Sequence, residues 1–366
     1  MEPAKSWFGS SLPVPCVQEL AKLHLEQTTA TIPPRYVRPD QDPPDVSDST
    51  SLPQAPVIDM QKLFSPEFMD SELDNLHNAS KQWGFFQLIN HGVSTSLLEK
   101  VKFDIQEFFK LPMDEKKKYW QQPGELEGFG QAFVVSEEQK LNWGDIFVLV
   151  MLPIIMRKPH LFPKLPLPFR DNLEAYSAEL QELAMKILEL MAKALKMEYK
   201  DMKNLFEDGR QAMRMNYYPP CPQPDLAIGL NSHSDGVGLT ILLQLNEMEG
   251  LQIRKDEMWV PVKPLLNAFI VNIGDILEIV TNGIYRSIEH RATVNSVKER
   301  LSIATFYSPK WEGVMGPAPS LITPESPALF KRIGVADYFR GYFSRKLDGK
   351  SYIDVMRIQN DDQKGS

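Results

Sequence analysis

Residues 227–245 read AIGLNSHSDGVGLTILLQL. The apolar run Leu239 to Leu245, entered through glycines, has the composition of a buried strand. Just ahead of it stand His233 and Asp235, and on an extended chain positions i and i+2 face the same side. One imidazole and one carboxylate are therefore expected at one point in space. That is two thirds of a 2-His-1-carboxylate set, which holds a non-haem iron and leaves half its coordination sphere open. Alone the pair is weak. With six histidines in the chain, a His-x-Asp pair arises by chance about 0.3 times. A strand-end histidine capping a turn is the competing reading, so the surroundings must decide.

From Ala212 the hydrophobic pattern has period two. AMRMNYY predicts a strand with Arg214, Asn216 and Tyr218 on one face, closed by the rigid PPCPQP. LTILLQL, GLQIR, MWVPVKP, AFIVNIGDIL, SIEHRATVN and RLSIATFY follow as further strands, with Gly274-Asp275 and Asn282-Gly283 as breaks. Many short strands with few helices between them predict an antiparallel sandwich or barrel. Such a barrel can bring the distant His290 beside the pair and complete the ligand set. Arg300 and Ser302 are again i and i+2, a rigid fork for a carboxylate with a hydroxyl beside it. Together with Asn216 and Tyr218 they place polar groups inside an apolar barrel, where a charged ligand is needed to satisfy them. A keto-dicarboxylate with one end on iron and the other on Arg300, Ser302 and Tyr218 fits. Oxidative decarboxylation of 2-oxoglutarate to succinate and carbon dioxide, with O2, would then drive attack on a nearby C–H bond.

The 366 residues carry 43% hydrophobic and 24% charged residues, an ordinary globular balance able to build a large core. Net charge is −8 with no basic block, which argues against nucleic acid as a partner. MEPAKSWFGSSLPVP lacks an apolar signal core and no run is long enough for a bilayer, so a soluble, cytoplasmic protein without a membrane partner is expected. A monomer is expected. Two cysteines, Cys16 and Cys221, make no disulfide framework and read as free thiols.

Upstream, Val14 to Leu25 has helical spacing, and residues 38–54 read as an extended or mobile connector. PVIDM is a short strand, Leu73 to Trp83 a helix ended by Gly84, and FFQLIN a strand closed by His91-Gly92. Ser94 to Phe109 is an amphipathic helix with a Ser/Thr cap. The basic run Lys116 to Lys118 reads as a solvated helix face. In GDIFVLVML, Ile146 and Val148 share one face and Phe147 takes the other. Leu173 to Phe206 reads as one long helix with methionines as core filler. His24, His77, His91 and His160 take structural readings. Near the end, Tyr338, Phe339, Tyr342 and Phe343 lie in a helical stretch that either packs outside the barrel or covers its mouth, and NDDQKGS is a polar tail.

His233-x-Asp235, His290 and Arg300-x-Ser302 resemble the plant iron(II)/2-oxoglutarate-dependent dioxygenases. So do NYYPPCPQPDLAIGL, NIGDILEIVTNG and GFFQLINHGV, and the likeness spans about residues 14–358. PVPCVQELAK, IPPRYVRP and FFKLPMDEK look closest to the senescence-related subgroup that includes opium-poppy alkaloid O-demethylases. The resemblance implies a mainly β fold with flanking helices, a distorted double-stranded β-helix or jelly roll. It implies iron on His233, Asp235 and His290, 2-oxoglutarate on Asn216, Tyr218, Arg300 and Ser302, and ascorbate as reductant. It divides the chain into an N-terminal helix and connector (1–54), an N-terminal dioxygenase domain (55–165) and a supporting long helix (166–208). A jelly-roll core (209–309) and a C-terminal helical lid and tail (310–366) complete it.

Where the related anthocyanidin synthase has a basic lysine and an acidic glutamate near its flavonoid, this chain has Arg214 and Ser308. Ile146 and Val148 stand for a tyrosine and a phenylalanine of that wall. A small-molecule substrate that is bulky and mostly apolar, an alkaloid-like polycycle, is therefore expected. Its lining would be Ile146, Val148, Arg214, Gly236, Phe306 and Ser308, with Tyr338, Phe339 and Tyr342 as cover. Hydroxylation or O-demethylation is expected. The alternatives are a flavonoid-type hydroxylase or desaturase, a 2-oxoglutarate-independent oxidase of the same fold, and a ligand-binding protein that keeps its metal.

Overall fold

The computed structural model describes residues 11–27, 31–38, 53–344 and 349–359. Most of the expected connector and all of the polar tail lie outside them, as does the side chain of His24.

The N-terminal part runs α1 (Val17–Gln27), β1 (Val57–Asp59), α2 (Met69–Gln82), β2 (Phe85–Ile89), α3 (Thr95–Lys110), α4 (Met113–Lys116), β3 (Gly128–Gly130) and β4 (Asp145–Leu152). Gly84, at φ +61°, turns α2 into β2 where a Cβ would lie 2.1 Å from the Arg286 carbonyl oxygen, so only glycine fits. Ser94 precedes α3, but its hydroxyl makes no capping bond. The basic run is corrected in one position. Lys117 and Lys118 are exposed, whereas Lys116 is buried, its ammonium donating to Gln18 Oε1 (2.5 Å) and the Phe109 carbonyl (3.1 Å).

The expected long helix is two. α5 (Leu167–Ala194) ends where Lys196 takes φ +54°, and α6 (Tyr199–Phe206) restarts after it. No glycine or proline announces that break. Then come β5 (Arg210–Tyr218), β6 (Leu230–His233), β7 (Leu239–Gln244), β8 (Leu251–Lys255), β9 (Met258–Pro261) and β10 (Phe269–Ile273). AFIVNIGDIL is only half strand, because Gly274 ends β10 and Asp275–Val280 coils as α7. β11 (His290–Ala292), β12 (Arg300–Ser308), β13 (Val314–Met315), β14 (Ile333–Gly334), α8 (Val335–Phe343) and α9 (Ser351–Val355) complete the chain.

An eight-stranded sheet has the order β1-β2-β10-β7-β12-β5-β4-β3, and a four-stranded sheet the order β6-β11-β8-β9. Together, with helices outside, they make a jelly roll. Strand alternation assigns the two faces of the large sheet. Met213 and Met215 of β5, Ile241 and Leu243 of β7 and Ile303 of β12 are buried in one cluster with Leu173, Tyr176 and Leu180 of α5. The opposite face of the same strands looks toward the small sheet and carries the polar residues described below. Cys16 and Cys221 are buried free thiols. No helix among the described residues is long and apolar enough to cross a membrane.

α1 is pinned to this body by one buried carboxylate. Asp145, at the start of β4, accepts the backbone N–H groups of Val17 (2.8 Å) and Gln18 (2.9 Å) and the Cys16 thiol (3.1 Å). These are first-turn donors with no partner inside the helix. Asp145→Ala should lower stability by about 2–4 kcal/mol, since it removes a cap and leaves buried donors unpaired. Urea denaturation measures this, and a change below about 0.5 kcal/mol would contradict it.

Candidate functional site

β6 and β11 lie antiparallel with His233 directly opposite His290. Asp235 reaches the same place by a different route from the one expected. β6 ends at His233, so Asp235 sits in the following loop and its direction is not set by strand alternation. It is set from across the cavity. Thr240 on β7 and Asn272 on β10 are cross-strand partners, and Thr240 Oγ1 (2.7 Å) and Asn272 Nδ2 (2.8 Å) both donate to Asp235 Oδ2. α7 fixes the loop backbone, its first N–H groups donating to the Asp235 (2.7 Å) and Val237 (3.1 Å) carbonyls.

The free oxygen of Asp235, Oδ1, then faces His233 Nε2 at 3.5 Å and His290 Nε2 at 3.7 Å. The other ring nitrogens are committed: His233 Nδ1 lies 2.7 Å from the Asn231 carbonyl and His290 Nδ1 3.3 Å from the Ile288 carbonyl. A carbonyl only accepts, so each Nδ1 carries a proton, and in the neutral ring Nε2 is left with the lone pair. Burial, with His233 adding to it, pushes His290 down to about 4, so this imidazole is neutral near pH 7. Burial alone would raise Asp235, but His290 and His233, cationic at the acid pH where the carboxyl would take up its proton, and the Thr240 hydroxyl outweigh it and hold the carboxyl well below the usual carboxylate range. Three electron-rich atoms within 4.8 Å of one another thus converge in a buried spot. Such a set is repulsive unless a cation sits among them, and its spacing suits neighbouring ligands of one six-coordinate ion. The donor set fits iron.

Arg300 and Ser302 sit on the cavity-facing side of β12, directly opposite Tyr218 and Asn216 on β5. Arg300 is 2% exposed, yet among the described residues no carboxylate pairs with it. Its Nη2 donates to Gln244 Oε1 (3.1 Å), its carbon lies 5.5 Å from the Tyr218 ring centre, and its Nε has no partner. A guanidinium cannot shed its proton here, so a buried cation without a counter-ion calls for an anionic ligand. Asn216 Nδ2 donates to Ser302 Oγ (3.2 Å), and Arg214 Nε donates to Asn216 Oδ1 (2.7 Å). One cavity touches all four of these residues and the His–Asp–His set, so a dicarboxylate can reach both.

The comparisons with known proteins agree with this geometry. Residues 209–309 match the model of the 2OG-Fe(II) oxygenase superfamily, and residues 55–164 that of the non-haem dioxygenase in morphine synthesis N-terminal domain. Protein SRG1 of Arabidopsis thaliana is 59% identical over 97% of this chain and 99% of its own length. The chain belongs to the 2OG-Fe(II) oxygenase superfamily. The dioxygenase is also 59% identical to the oxoglutarate-dependent flavonoid 7-O-demethylase 1 of Ocimum basilicum, over 96% of this chain and 93% of the relative. It is 57% identical to the codeine O-demethylase of Papaver somniferum, over 96% and 98%. The crystal structure of JOX2 in complex with 2OG, Fe and JA superposes with a TM-score of 0.84 at 33% identity, covering 95% of this chain and 99% of that one. The enzyme therefore uses Fe(II) and 2-oxoglutarate.

A second cavity of the dioxygenase opens from the metal site, about 940 Å³ with its mouth included. Val148, Arg214, Gly236, Phe306 and Ser308 line it, and α8 covers it with Phe339, Tyr342 and Phe343. Two expectations need correction. Ile146 faces a smaller neighbouring pocket beside Tyr218 and Asn231. Tyr338 is fully buried behind the cover, its ring 5.1 Å from that of Tyr352. The sequence reading missed Thr240 and Asn272, although Asn272 is the lone polar residue of β10 and Thr240 the one polar residue at the start of the apolar run of β7. It also missed Phe133, whose ring stacks on Phe343 at 5.9 Å, and Glu127 and Arg210 at the far wall. His91 is structural, its Nε2 2.9 Å from the Asn267 carbonyl and its Nδ1 accepting the Val93 N–H (3.2 Å). His77 meets the Tyr285 hydroxyl at 3.3 Å.

The cover is fastened to the metal loop itself. The Tyr342 hydroxyl accepts from the Gly236 N–H (3.2 Å) and donates to the Ser234 carbonyl (3.4 Å). A Cβ on Gly236 would come 2.4 Å from the Tyr342 ring. Gly236→Ala should therefore cost about 1–3 kcal/mol through overpacking. In a Tyr342→Ala background the same change should cost under about 0.5 kcal/mol. A double-mutant cycle by urea denaturation reads the coupling, and additive effects would contradict the contact.

Proposed function

We propose that the dioxygenase oxidises a bulky, mostly apolar polycyclic small molecule by C–H hydroxylation or O-demethylation, with His233, Asp235 and His290 as iron ligands. Arg300, Ser302, Tyr218 and Asn216 receive 2-oxoglutarate. The observation that carries the substrate reading is the large cavity. It has His233 and Asp235 at one end and a wall built largely of Val148, Val150, Ala212, Phe306 and Phe339. Its size and lining suit a polycycle whose reacting carbon lies next to the metal.

Bound iron, with 2-oxoglutarate and O2, supplies the oxidising power for C–H cleavage. The chain's own residues do the rest. The Nδ1–H bonds to backbone carbonyls fix both imidazoles with Nε2 toward the metal, and Thr240 with Asn272 turns Asp235 Oδ1 the same way. Arg300 offers paired donors to the distal carboxylate of the cosubstrate, which orients its keto-acid end toward the histidines. The apolar wall holds the substrate and excludes water, and α8 with Phe133 closes the mouth. Hydroxylation of a methoxy carbon gives a hemiacetal that loses formaldehyde, so hydroxylation and O-demethylation share one first step. The relatives named as a flavonoid and a codeine O-demethylase favour O-demethylation.

Incubation with a panel of alkaloid and flavonoid methyl ethers, Fe(II), ascorbate and 2-oxoglutarate, followed by mass spectrometry, tests the reaction. Loss of one methylene unit with formaldehyde release is the expected result, gain of one oxygen would mean hydroxylation, and product without succinate would refute 2-oxoglutarate use. Asp235→Ala should abolish stoichiometric Fe(II) binding and turnover, and metal analysis that finds one iron per chain would refute the ligand assignment. Arg300→Ala should raise the 2-oxoglutarate concentration for half-maximal succinate formation by about tenfold or more, the worth of a charge-assisted bond. An unchanged requirement would move that carboxylate elsewhere.

A further inference from the structure

The cavity-facing side of β4, β5 and β12 carries a sequence of stations. Arg300 and Tyr218 are paired at one end. Next come Ser302 with Asn216, then Ala304 with Arg214, then Phe306 with Ala212. At the far end Ser308 pairs with Arg210, and Val150 of β4 lies beside Ala212. The metal site opens onto the middle of this row, at Arg214. Arg210 is four residues further along β5, about 13 Å of extended chain. There the mostly apolar substrate cavity meets Glu127, which is 4% exposed and lines its wall. Glu127 Oε2 accepts the Val150 N–H (3.0 Å), and this is its one hydrogen bond among the described residues. Lys158, a cation near it, is occupied by Glu125 at 2.6 Å. Beside Glu127 the Arg210 guanidinium, also buried, stacks over Trp311 at 4.7 Å.

An apolar cavity does not hold a buried carboxylate with a spare oxygen unless something polar enters to meet it. We propose that Glu127, with Arg210 beside it, is the specificity-determining end of the substrate cavity and accepts a hydrogen bond from a hydroxyl on the substrate's edge opposite the oxidised carbon. This deepens the reading of the cavity as the substrate pocket and rests on it. Burial pushes the Glu127 carboxyl up to about 7, against the Val150 N–H, Lys158 and Arg210, which pull it down. The strand register then acts as a ruler. The oxidised carbon lies near Arg214 and the hydroxyl near Arg210, a separation that a rigid fused-ring skeleton spans and a single ring does not. A hydroxyl can donate to the Glu127 carboxylate, whereas an ether oxygen at the same place cannot.

The test uses the full chain with Fe(II) and 2-oxoglutarate under nitrogen, at about pH 8, where the carboxylate is mostly ionised. Two probes share one rigid skeleton of four fused rings, long enough for that span: a phenol with a methoxy group on the terminal ring opposite, and the corresponding dimethyl ether. Binding is read by fluorescence. The wild type should prefer the phenol by about tenfold or more, the worth of a bond to a charged acceptor. Glu127→Leu should bring the two probes within about twofold while still binding the ether, and Glu127→Gln, which keeps the shape and loses the charge, should lower the preference by at least about threefold. If Glu127→Leu fails to fold, Glu127→Gln decides. Absence of a preference in the wild type, or a full preference in Glu127→Gln, overturns the proposal. Succinate formed in air by the wild type without either probe reads the metal site separately. Its absence would count against the proposed function and leave the phenol comparison standing.

Discussion

Three electron-rich atoms facing one another in a buried space are the constraint on which the rest of the structure depends. Asp235 Oδ1 and the Nε2 atoms of His233 and His290 repel one another without a cation, and none can turn away. The histidines are held by backbone carbonyls two residues back, and the carboxylate by a threonine and an asparagine paired across two strands. The two sheets of the jelly roll are thereby assigned different tasks. The small one supplies the imidazoles, opposite each other on β6 and β11, and the large one steers the carboxylate that reaches across.

The large sheet also carries the gradient of chemistry along the site. One row of cavity-facing positions runs from a buried guanidinium with no carboxylate partner among the described residues, past the residues beside the metal and an apolar wall, to the end where the Glu127 carboxylate is buried. Strands suit this because residues two apart on neighbouring strands stay in register over the whole length. The opposite face of the same strands is packed on α5, so the row is held rigidly from behind. α8 contributes three aromatic side chains to the cavity and is fastened to the metal loop through Tyr342, while Lys350, just ahead of α9, donates to Glu278 of α7 at 2.8 Å.

Much of this was legible in the sequence, wherever period-two alternation carried the information. The inward faces of β5 and β12 followed from spacing alone, and His290 followed from the need for a third ligand in a β-rich region. Other features depend on contacts between distant segments. Asp235 looked like a strand residue, but it points inward because Thr240 and Asn272 hold it from another sheet. Lys116 sat in a basic run and read as solvated, yet a glutamine from α1 and a carbonyl of α3 satisfy its ammonium inside the body. The break between α5 and α6 falls on Lys196, a residue type that does not mark a left-handed turn. In α8 the aromatics are spaced so that more than one face is apolar, which is why Tyr338 and Phe343 could not be sorted into support and lining beforehand.

The central claim is that His233, Asp235 and His290 meet at one iron whose cosubstrate is anchored on Arg300. A crystal grown anaerobically with Fe(II) and 2-oxoglutarate, with diffraction recorded on both sides of the iron absorption edge, measures it directly. The account predicts one anomalous peak within about 2.0–2.3 Å of His233 Nε2, His290 Nε2 and an Asp235 oxygen. It also predicts the distal carboxylate of 2-oxoglutarate on the Arg300 guanidinium. A peak bound by other residues, or a cosubstrate whose carboxylate leaves Arg300 unpaired, would contradict it.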